Sequence, residues 1–341
     1  MIKSKRGLMK INQYKKFLSS ALVIILLLYY PFMDYYLLEK DNYDRYLKDT
    51  CEEILSHSDN NTEKVKNIIK WEQHRIIDNP NVEYFTISNI LSLFFINPYR
   101  LPDNPGWYLY IGKASCQELA FVFENMAKRT NLTYRRIYAD KLIKPNGESN
   151  NHRWSEVKLG GKWTIADAGW NGLYHPDYNK SYFINNGYKF GHVVIVDENF
   201  KPIKDCTSSY VNKTGHLKIE ATKNGKPVEN ANISIYMMHE NSYYQVVGHS
   251  IDYSTNSNGI FELDLATYGN TNYIIKLSST ELNGIYQYEG KKSLSLNNNE
   301  NKILNVKLDE IRPGGSCFYL ILGLILIINF YLYIFKGNIM K

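Results

Sequence analysis

Apolar positions fall along this chain in three rhythms. The first is continuous: residues 17–33 and 317–335 are predominantly apolar and carry no charge. Each run approaches the roughly 20 residues a helix needs to cross a bilayer, so both are predicted to be transmembrane helices. The second rhythm has the helical period. Val65, Ile68, Ile69 and Trp71 follow Thr62, while Leu119, Ala120, Phe123, Met126 and Ala127 follow Ser115. These spacings predict a helix over 62–75 capped by Thr62, and another over 116–129 ended by Asn131. The third rhythm has period two. It predicts strands over 134–139, 152–159, 162–166 and 192–196, then over 217–222, 231–237, 259–265, 273–277 and 303–308.

The segments between these elements complete the plan. Residues 34–61 read as a charged, tyrosine-rich connector, with a helix as one option for it, 79–106 mostly as loop, 141–151 as a polar loop and 170–190 as loop-rich. Gly160-Gly161 between two strands predicts a tight hairpin. Across 207–214 the composition turns to Ser, Thr, Asn and Lys, which marks a domain boundary. An α+β domain is therefore expected over 62–206 and an all-β sandwich over 215–309. Residues 310–316 link the sandwich to the second membrane run, and 1–16 and 336–341 are short tails.

Charge orients this plan. The tails carry Lys3, Lys5, Arg6, Lys10, Lys15, Lys16, Lys336 and Lys341 and no acid. Short basic tails stay on the cytoplasmic side, so both termini are expected inside and residues 34–315 outside, in a protein resident in the cell membrane. A cleaved signal peptide is the alternative for the first run. Bulky Pro31, Phe32, Tyr35 and Tyr36 in place of a small-x-small site favour an uncleaved signal anchor. The formal net charge of +6 resides in the tails: without their eight basic residues, 32 basic residues face 34 acidic ones. That balance excludes a basic patch for nucleic acid. The partners expected are the membrane and a protein or peptide substrate, with the oligomeric state left open.

Four cysteines remain to be placed. Cys317 opens the second apolar run. Cys51 and Cys206 bracket the first outer domain, and an oxidising exterior would let them pair as a disulfide. Cys116 would then be the lone thiol of the outer part. It follows Ser115, and Glu118 stands three residues after that serine, the pattern of a capping box. Cys116 thus falls at the first helical position, where the partial positive charge of a helix N-terminus favours a thiolate and a free backbone N–H can hold an oxyanion.

A base and its orienter come from the hairpin. With a two-residue turn at 160–161, Trp154 faces Asp167 and Glu156 faces Ile165. His152, Trp154 and Asp167 share one face by alternation. His152 and Asp167 become diagonal neighbours, about 7–8 Å apart before side-chain reach. A carboxylate can then orient an imidazole whose other nitrogen meets the thiolate. The expected triad is Cys116, His152 and Asp167. His175 and His192 are expected to be structural; no metal-ligand spacing joins them, and no metal or cofactor is expected.

Three blocks carry a resemblance: Cys116-Gln-Glu-Leu-Ala120, His152-Arg-Trp154-Ser-Glu156-Val157 and Trp163-Thr-Ile-Ala-Asp167. Together they resemble the transglutaminase-like superfamily of papain-type thiol enzymes. The family's pattern is a cysteine at a helix start, then His-x-Trp-x-Glu on a strand, then Trp and Asp on the next. The match covers about 60 residues well and about 140 more loosely. It departs from the family at Ala114, where a glycine is frequent, and at Ala168, where a proline is frequent. The resemblance implies a papain-like fold and amide acyl transfer through a thioester. Water as acceptor gives a cysteine peptidase or amidase, which is the reading taken. A lysine acceptor gives a transglutaminase, and a non-catalytic surface module is the alternative of another class. The family also implies an upstream aromatic oxyanion partner, with Trp107, Tyr108 and Tyr110 as candidates, and support of the site by Trp154 and Glu156. Finally, Gly225-Lys-Pro227-Val228, Ala231-Asn-Ile233 and Thr255-Asn-Ser-Asn-Gly259-Ile-Phe261 look like the carboxypeptidase regulatory-like or transthyretin-like β-sandwich family, which implies a spacer or adhesive module.

Overall fold

The computed structural model describes residues 19–20, 22–23, 33–78, 104–169, 181–281, 285–314, 321, 323–325 and 327–328. Among the described residues no helix is long and apolar enough to cross a membrane. The two spans expected over 17–33 and 317–335 lie almost wholly outside the described residues, as do Cys317, His175 and most of the loop expected over 79–106.

The architecture is α+β. In chain order the helices of eight residues or more, with one short helix, are α1 (Lys40–Ser56), α2 (Asn61–Arg75), α3 (Pro105–Ile111) and α4 (Cys116–Arg129). The strands β1 (Ile77–Asp78) and β2 (Lys113–Ala114) flank α3. Then come β3 (Tyr134–Ile143), β4 (Ser149–Leu159), β5 (Lys162–Ala166), β6 (Lys189–Phe190), β7 (Val194–Val196) and β8 (Pro202–Asp205). The last group is β9 (Thr214–Lys223), β10 (Lys226–Pro227), β11 (Asn232–His239), β12 (Ser242–Val247), β13 (Ile260–Ala266), β14 (Thr271–Glu281), β15 (Tyr286–Leu296), β16 (Asn301–Lys307) and β17 (Glu310–Pro313). The chain divides into two compact units, residues 1–134 with 154–177 and residues 135–153 with 178–341.

The first unit is built on α1–α4 and the β4–β5 hairpin. Its core joins Leu47, Cys51 and Ile54 of α1, Val65, Ile68 and Ile69 of α2, and Leu119, Phe123 and Met126 of α4. Within the connector expected over 34–61 the helical option is the one realised, and it is packed into the core. A π-helical turn at Tyr35–Glu39 leads into α1, and the spacing 47, 51, 54 buries one face. The cap of α2 also differs from expectation. Asn60, not Thr62, accepts the backbone N–H of Glu63 at 3.0 Å. An Asn side chain satisfies an orphan helix donor as well as a threonine does, and here it starts the helix earlier.

The second unit holds the sandwich. β10, β9, β13 and β16 form one sheet, and β12, β11, β14, β15 and β17 form the other. Leu217, Ile219, Leu263 and Leu265 of the first sheet share a core with Ile233, Ile235, Met237, Ile275 and Leu277 of the second. Alternation along β9 and β11 buries every second side chain, as a half-buried strand requires. Tyr138, Ile143, Val194 and Val196 belong to the same core. The unit boundary therefore does not fall at the linker expected over 207–214, because apolar residues of β3 and β7 pack with the sandwich. The loop expected over 141–151 is also shorter: β3 continues to Ile143 and β4 starts at Ser149, with Lys144 and Glu148 paired through the backbone at 2.8 Å.

No disulfide joins Cys51 and Cys206. Both are buried thiols. Cys51 is packed in the helical core, where burial pushes its thiol up to about 11, against a smaller opposing pull from Arg129. The Cys206 thiol donates to the carbonyl of Val193 at 3.5 Å.

Candidate active site

Helix α4 begins at Cys116, as its capping pattern requires. Ser115 is extended, and the Glu118 carboxylate accepts both its backbone N–H, at 3.0 Å, and its hydroxyl. The entry to the helix is fixed from the other side by β2, which pairs in parallel with β1 through Ile77 with Lys113 and Asp78 with Ala114. Cys116 itself is half-buried at the first turn. A thiol so placed sits among backbone N–H groups that no intrahelical carbonyl satisfies.

The hairpin has the predicted register. β4 and β5 pair Ser155 with Ala166, Glu156 with Ile165 and Val157 with Thr164. Gly160 and Gly161 both take positive φ, 53° and 82°, the two left-handed positions that a tight right-twisting hairpin turn demands. One step beyond the ladder, Asp167 leaves β5. Its Oδ1 accepts the backbone N–H of Gly169 at 3.1 Å, closing a small turn. That turn lies against the start of α4. A Cβ built on Gly169 would stand 3.3 Å from the Cα of Cys116 and 3.2 Å from Cδ1 of Leu119. Glycine is what lets the segment carrying Asp167 approach the cysteine this closely. The sequence reasoning missed Gly169; its only signal was a glycine two residues after the aspartate.

His152 lies on β4, two residues before Trp154, and is 4% exposed. Trp154 and Glu156 are fully buried on the same strand. The division between the units falls within β4, after Arg153, so His152 is counted with the second unit and Cys116 and Asp167 with the first. The expected oxyanion aromatics occupy the helical core. Trp107 stacks on Tyr110 with ring centroids 5.6 Å apart and meets Tyr35 edge-on at 5.2 Å. Tyr108 packs against Phe121. The Tyr110 hydroxyl donates to Asp34 at 2.7 Å, so it is already committed to another carboxylate. These residues form α3, a short helix started by Asn104 and Pro105 that the loop reading of 79–106 did not anticipate. His192 is buried, with Nδ1 3.1 Å from both the Thr207 hydroxyl and the Asp264 carbonyl and 3.4 Å from the Asp205 carboxylate.

Two further acids were also missed. Glu72, on the inner face of α2, and Glu124, on α4, are 0% and 1% exposed. The Ser155 hydroxyl donates to Glu124 at 3.3 Å. Neither oxygen of Glu72 has a hydrogen-bond partner. Burial, then the charge of Asp167, then that of Glu124 push the Glu72 carboxyl well above the ordinary glutamate range. The signal was present in sequence as a charge at the apolar position of the spacing 65, 68, 69, 72.

No family model matches the chain, and no curated protein matches it. Among solved structures it is similar to a candidate cysteine protease from Cytophaga hutchinsonii, at 14% identity over 49% of this chain and 56% of that one, with a TM-score of 0.28. It is similar to a TGase at 14% identity over 56% of this chain and 41% of that one, TM-score 0.27. It is also similar to a candidate protease from Parabacteroides distasonis at 12% identity over 78% of this chain and 52% of that one, TM-score 0.30. The chain thus spans about half the length of these structures.

Proposed function

We propose that this chain is a thiol enzyme performing amide acyl transfer through Cys116, His152 and Asp167, acting as a cysteine peptidase or amidase on proteins or peptides and held at the membrane by its two apolar runs. The observation that carries the reading is the close approach of the Asp167–Gly169 turn to the Cα of Cys116 at a capped helix start. The hairpin register supports it, because it sets His152 on the strand beside the one that delivers Asp167.

In the proposed mechanism the Cys116 thiolate attacks the amide carbonyl carbon, and the backbone N–H groups at the start of α4 stabilise the oxyanion. The C–N bond breaks as His152 gives its proton to the departing amine. Asp167 holds the imidazole in orientation throughout. Water then attacks the thioester while His152 takes its proton, which releases the acid and restores the thiolate–imidazolium pair. An amine in place of water would make the same chemistry a transglutamination. No cofactor enters any step. The sandwich of the second unit serves as a spacer.

The test is iodoacetamide labelling of Cys116 in the full chain across pH 4 to 9, beside His152→Ala, with a peptide-library cleavage assay on the same samples. Labelling is expected to be fast at about pH 6 and to fall by about tenfold or more in His152→Ala, with cleavage lost. Labelling that rises only near pH 8.5, as for an ordinary thiol, and that ignores His152 would leave a scaffold without chemistry.

A further inference from the structure

A cavity of about 350 Å³ lies wholly within the second unit and serves no step of the proposed mechanism. Its volume falls in the range of small-molecule sites and suits a ligand of about one ring. Tyr210, Val211 and Thr267 are buried and form its deeper lining; Tyr188 and Lys189 are half-buried, and Tyr268 and Lys213 are exposed. Local contacts hold this lining in place. Gly187 takes φ 75° and closes the short helix Ser181–Asn185. Its backbone N–H donates to Ile184 at 3.1 Å, and that of Tyr188 donates to Phe183 at 2.9 Å, which sets Tyr188 at the helix exit. The backbone N–H of Thr267, just past β13, donates to the Lys213 carbonyl at 2.9 Å. The Tyr268 hydroxyl donates to the Phe190 carbonyl and accepts the Phe190 N–H, both at 2.9 Å, so its ring is fixed.

The polar groups of the cavity indicate what it would hold. Thr267 is 3% exposed, and its hydroxyl has no hydrogen-bond partner among the described residues. A buried hydroxyl left unpaired is costly, so a partner belongs there. The lining also carries Lys189 and Lys213 and, among the described residues, no acid. Lys189 Nζ lies 2.9 Å from Nε2 of His239 and 5.7 Å from the centre of the Tyr268 ring. Burial, then the Lys189 charge, push the His239 titration down against a smaller opposing pull from Glu240, so the imidazole is a neutral acceptor. Two ammonium groups beside an apolar, aromatic floor favour an anion. Main-chain donors are spent: the N–H groups of Gly187, Tyr188, Tyr210, Val211, Thr267 and Tyr268 are engaged within the fold. A peptide, which is held through its main chain, is therefore poorly matched. Ring faces, a hydroxyl and two cations match a charged sugar, whose C–H face packs on tyrosine and whose carboxylate pairs with lysine.

We propose that this cavity binds one acidic sugar residue of the uronic acid type, with its ring against the tyrosines, its carboxylate toward Lys189 and Lys213 and a ring hydroxyl on Thr267. The site binds without covalent chemistry and does not depend on the thiol-enzyme reading. It gives the second unit a ligand of its own, beyond the part of a spacer.

The experiment titrates the full chain with D-glucuronate, D-glucose and N-acetyl-L-phenylalanine by ligand-observed NMR at about pH 7, alongside thermal melts. The variants are Lys213→Met, Lys189→Met, Thr267→Val and Thr267→Ser. Glucuronate should bind with a Kd of about 1 mM, ordinary for a ligand of that size, and glucose about tenfold more weakly. Each lysine variant should weaken glucuronate by about three- to tenfold. Lys213 is exposed, so that variant keeps the fold whatever Lys189→Met does. Thr267→Val should weaken binding by about threefold with no loss of melting temperature, because it removes an orphan hydroxyl, and Thr267→Ser should bind as wild type does. A hydroxyl satisfied by cavity water alone predicts that Thr267→Val leaves binding unchanged. That result overturns the proposal, as does equal binding of glucose and glucuronate, or glucuronate binding that ignores Lys213→Met. No glucuronate binding at about 20 mM overturns it too. Tighter binding of N-acetyl-L-phenylalanine than of glucuronate, lost in Lys213→Met, would replace the sugar with a peptide carboxylate and also overturn it.

Discussion

Two buried acids, one in each unit, are held in contrasting ways. In the second unit Asp140 is 2% exposed, and its carboxylate accepts the backbone N–H groups of His249 at 3.2 Å and Ser250 at 2.9 Å. Burial raises its titration, and those donors pull it back. In the first unit Glu72 is equally buried and has no donor at all. Asp140 is structural: a carboxylate that fastens a turn. Glu72 makes no structural bond and shares its unit with Cys116 and Asp167. An unsatisfied buried acid, against a satisfied one, is the pattern that calls for a role other than stability.

The most severe way to break this comparison is Gly169→Ala. Its Cβ would stand 3.3 Å from the Cys116 Cα, so the turn and the helix start must part by a few tenths of an ångström. Cys116 labelling should fall by about ten- to thirtyfold, since small displacements of reacting groups are costly. Unchanged kinetics would mean that the turn does not position the aspartate. Next in size is Asp140→Ala, which strands two backbone donors in the second unit. It should cost about 2–3 kcal/mol in urea unfolding while labelling at Cys116 is kept, so a parallel loss of labelling would blur the distinction between the two units.

The smallest effect sharpens the contrast. Because the folded-state titration of Glu72 is raised, the native state binds a proton that the unfolded chain has released. Stability from this group is full below the ordinary glutamate range and declines as pH rises above it. Glu72→Gln should flatten that decline, so the melting temperatures of variant and wild type should coincide near about pH 4 and diverge toward about pH 8. Parallel curves would place Glu72 among ordinary carboxylates.

Legibility followed the strength of local patterns. The start of α4 was readable because Ser115 and Glu118 form a capping box ahead of an amphipathic run. The hairpin register was readable because Gly160-Gly161 permits few alternatives. β12 and β15 were not readable. Tyr286–Leu296 is mostly polar and pairs along its whole length with β14, from Glu281 with Tyr286 to Thr271 with Leu296. Backbone pairing to a neighbour fixes such a strand, and a neighbour is invisible to a local pattern. α1 was readable only as a connector with helix as one option, because its buried face, Leu47, Cys51 and Ile54, is set among charges. α3 was missed because Pro105 and Gly106 suggest a loop, although proline is well suited to a first helical turn. At the candidate site, the placement of Cys116 at a helix start and of His152 on β4 was legible by residue type and spacing. Gly169 and Glu72 were not, since their importance arises from distances across the fold.

The topology of the sandwich has one more consequence. β9 opens it, and β16, near its end, runs parallel to β9 through seven paired residues, from Asn301 with His216 to Lys307 with Thr222. The next strand, β17, adds a short antiparallel pairing to β15 at the sheet edge. A tension drawn along the chain from Thr214 toward Lys307 would pull these two parallel strands past each other lengthwise. All seven rungs would then resist together, as in a lap joint, whereas a hairpin opened from its ends yields one rung at a time. A pull along the chain across this sheet would thus load the seven rungs side by side and not in series.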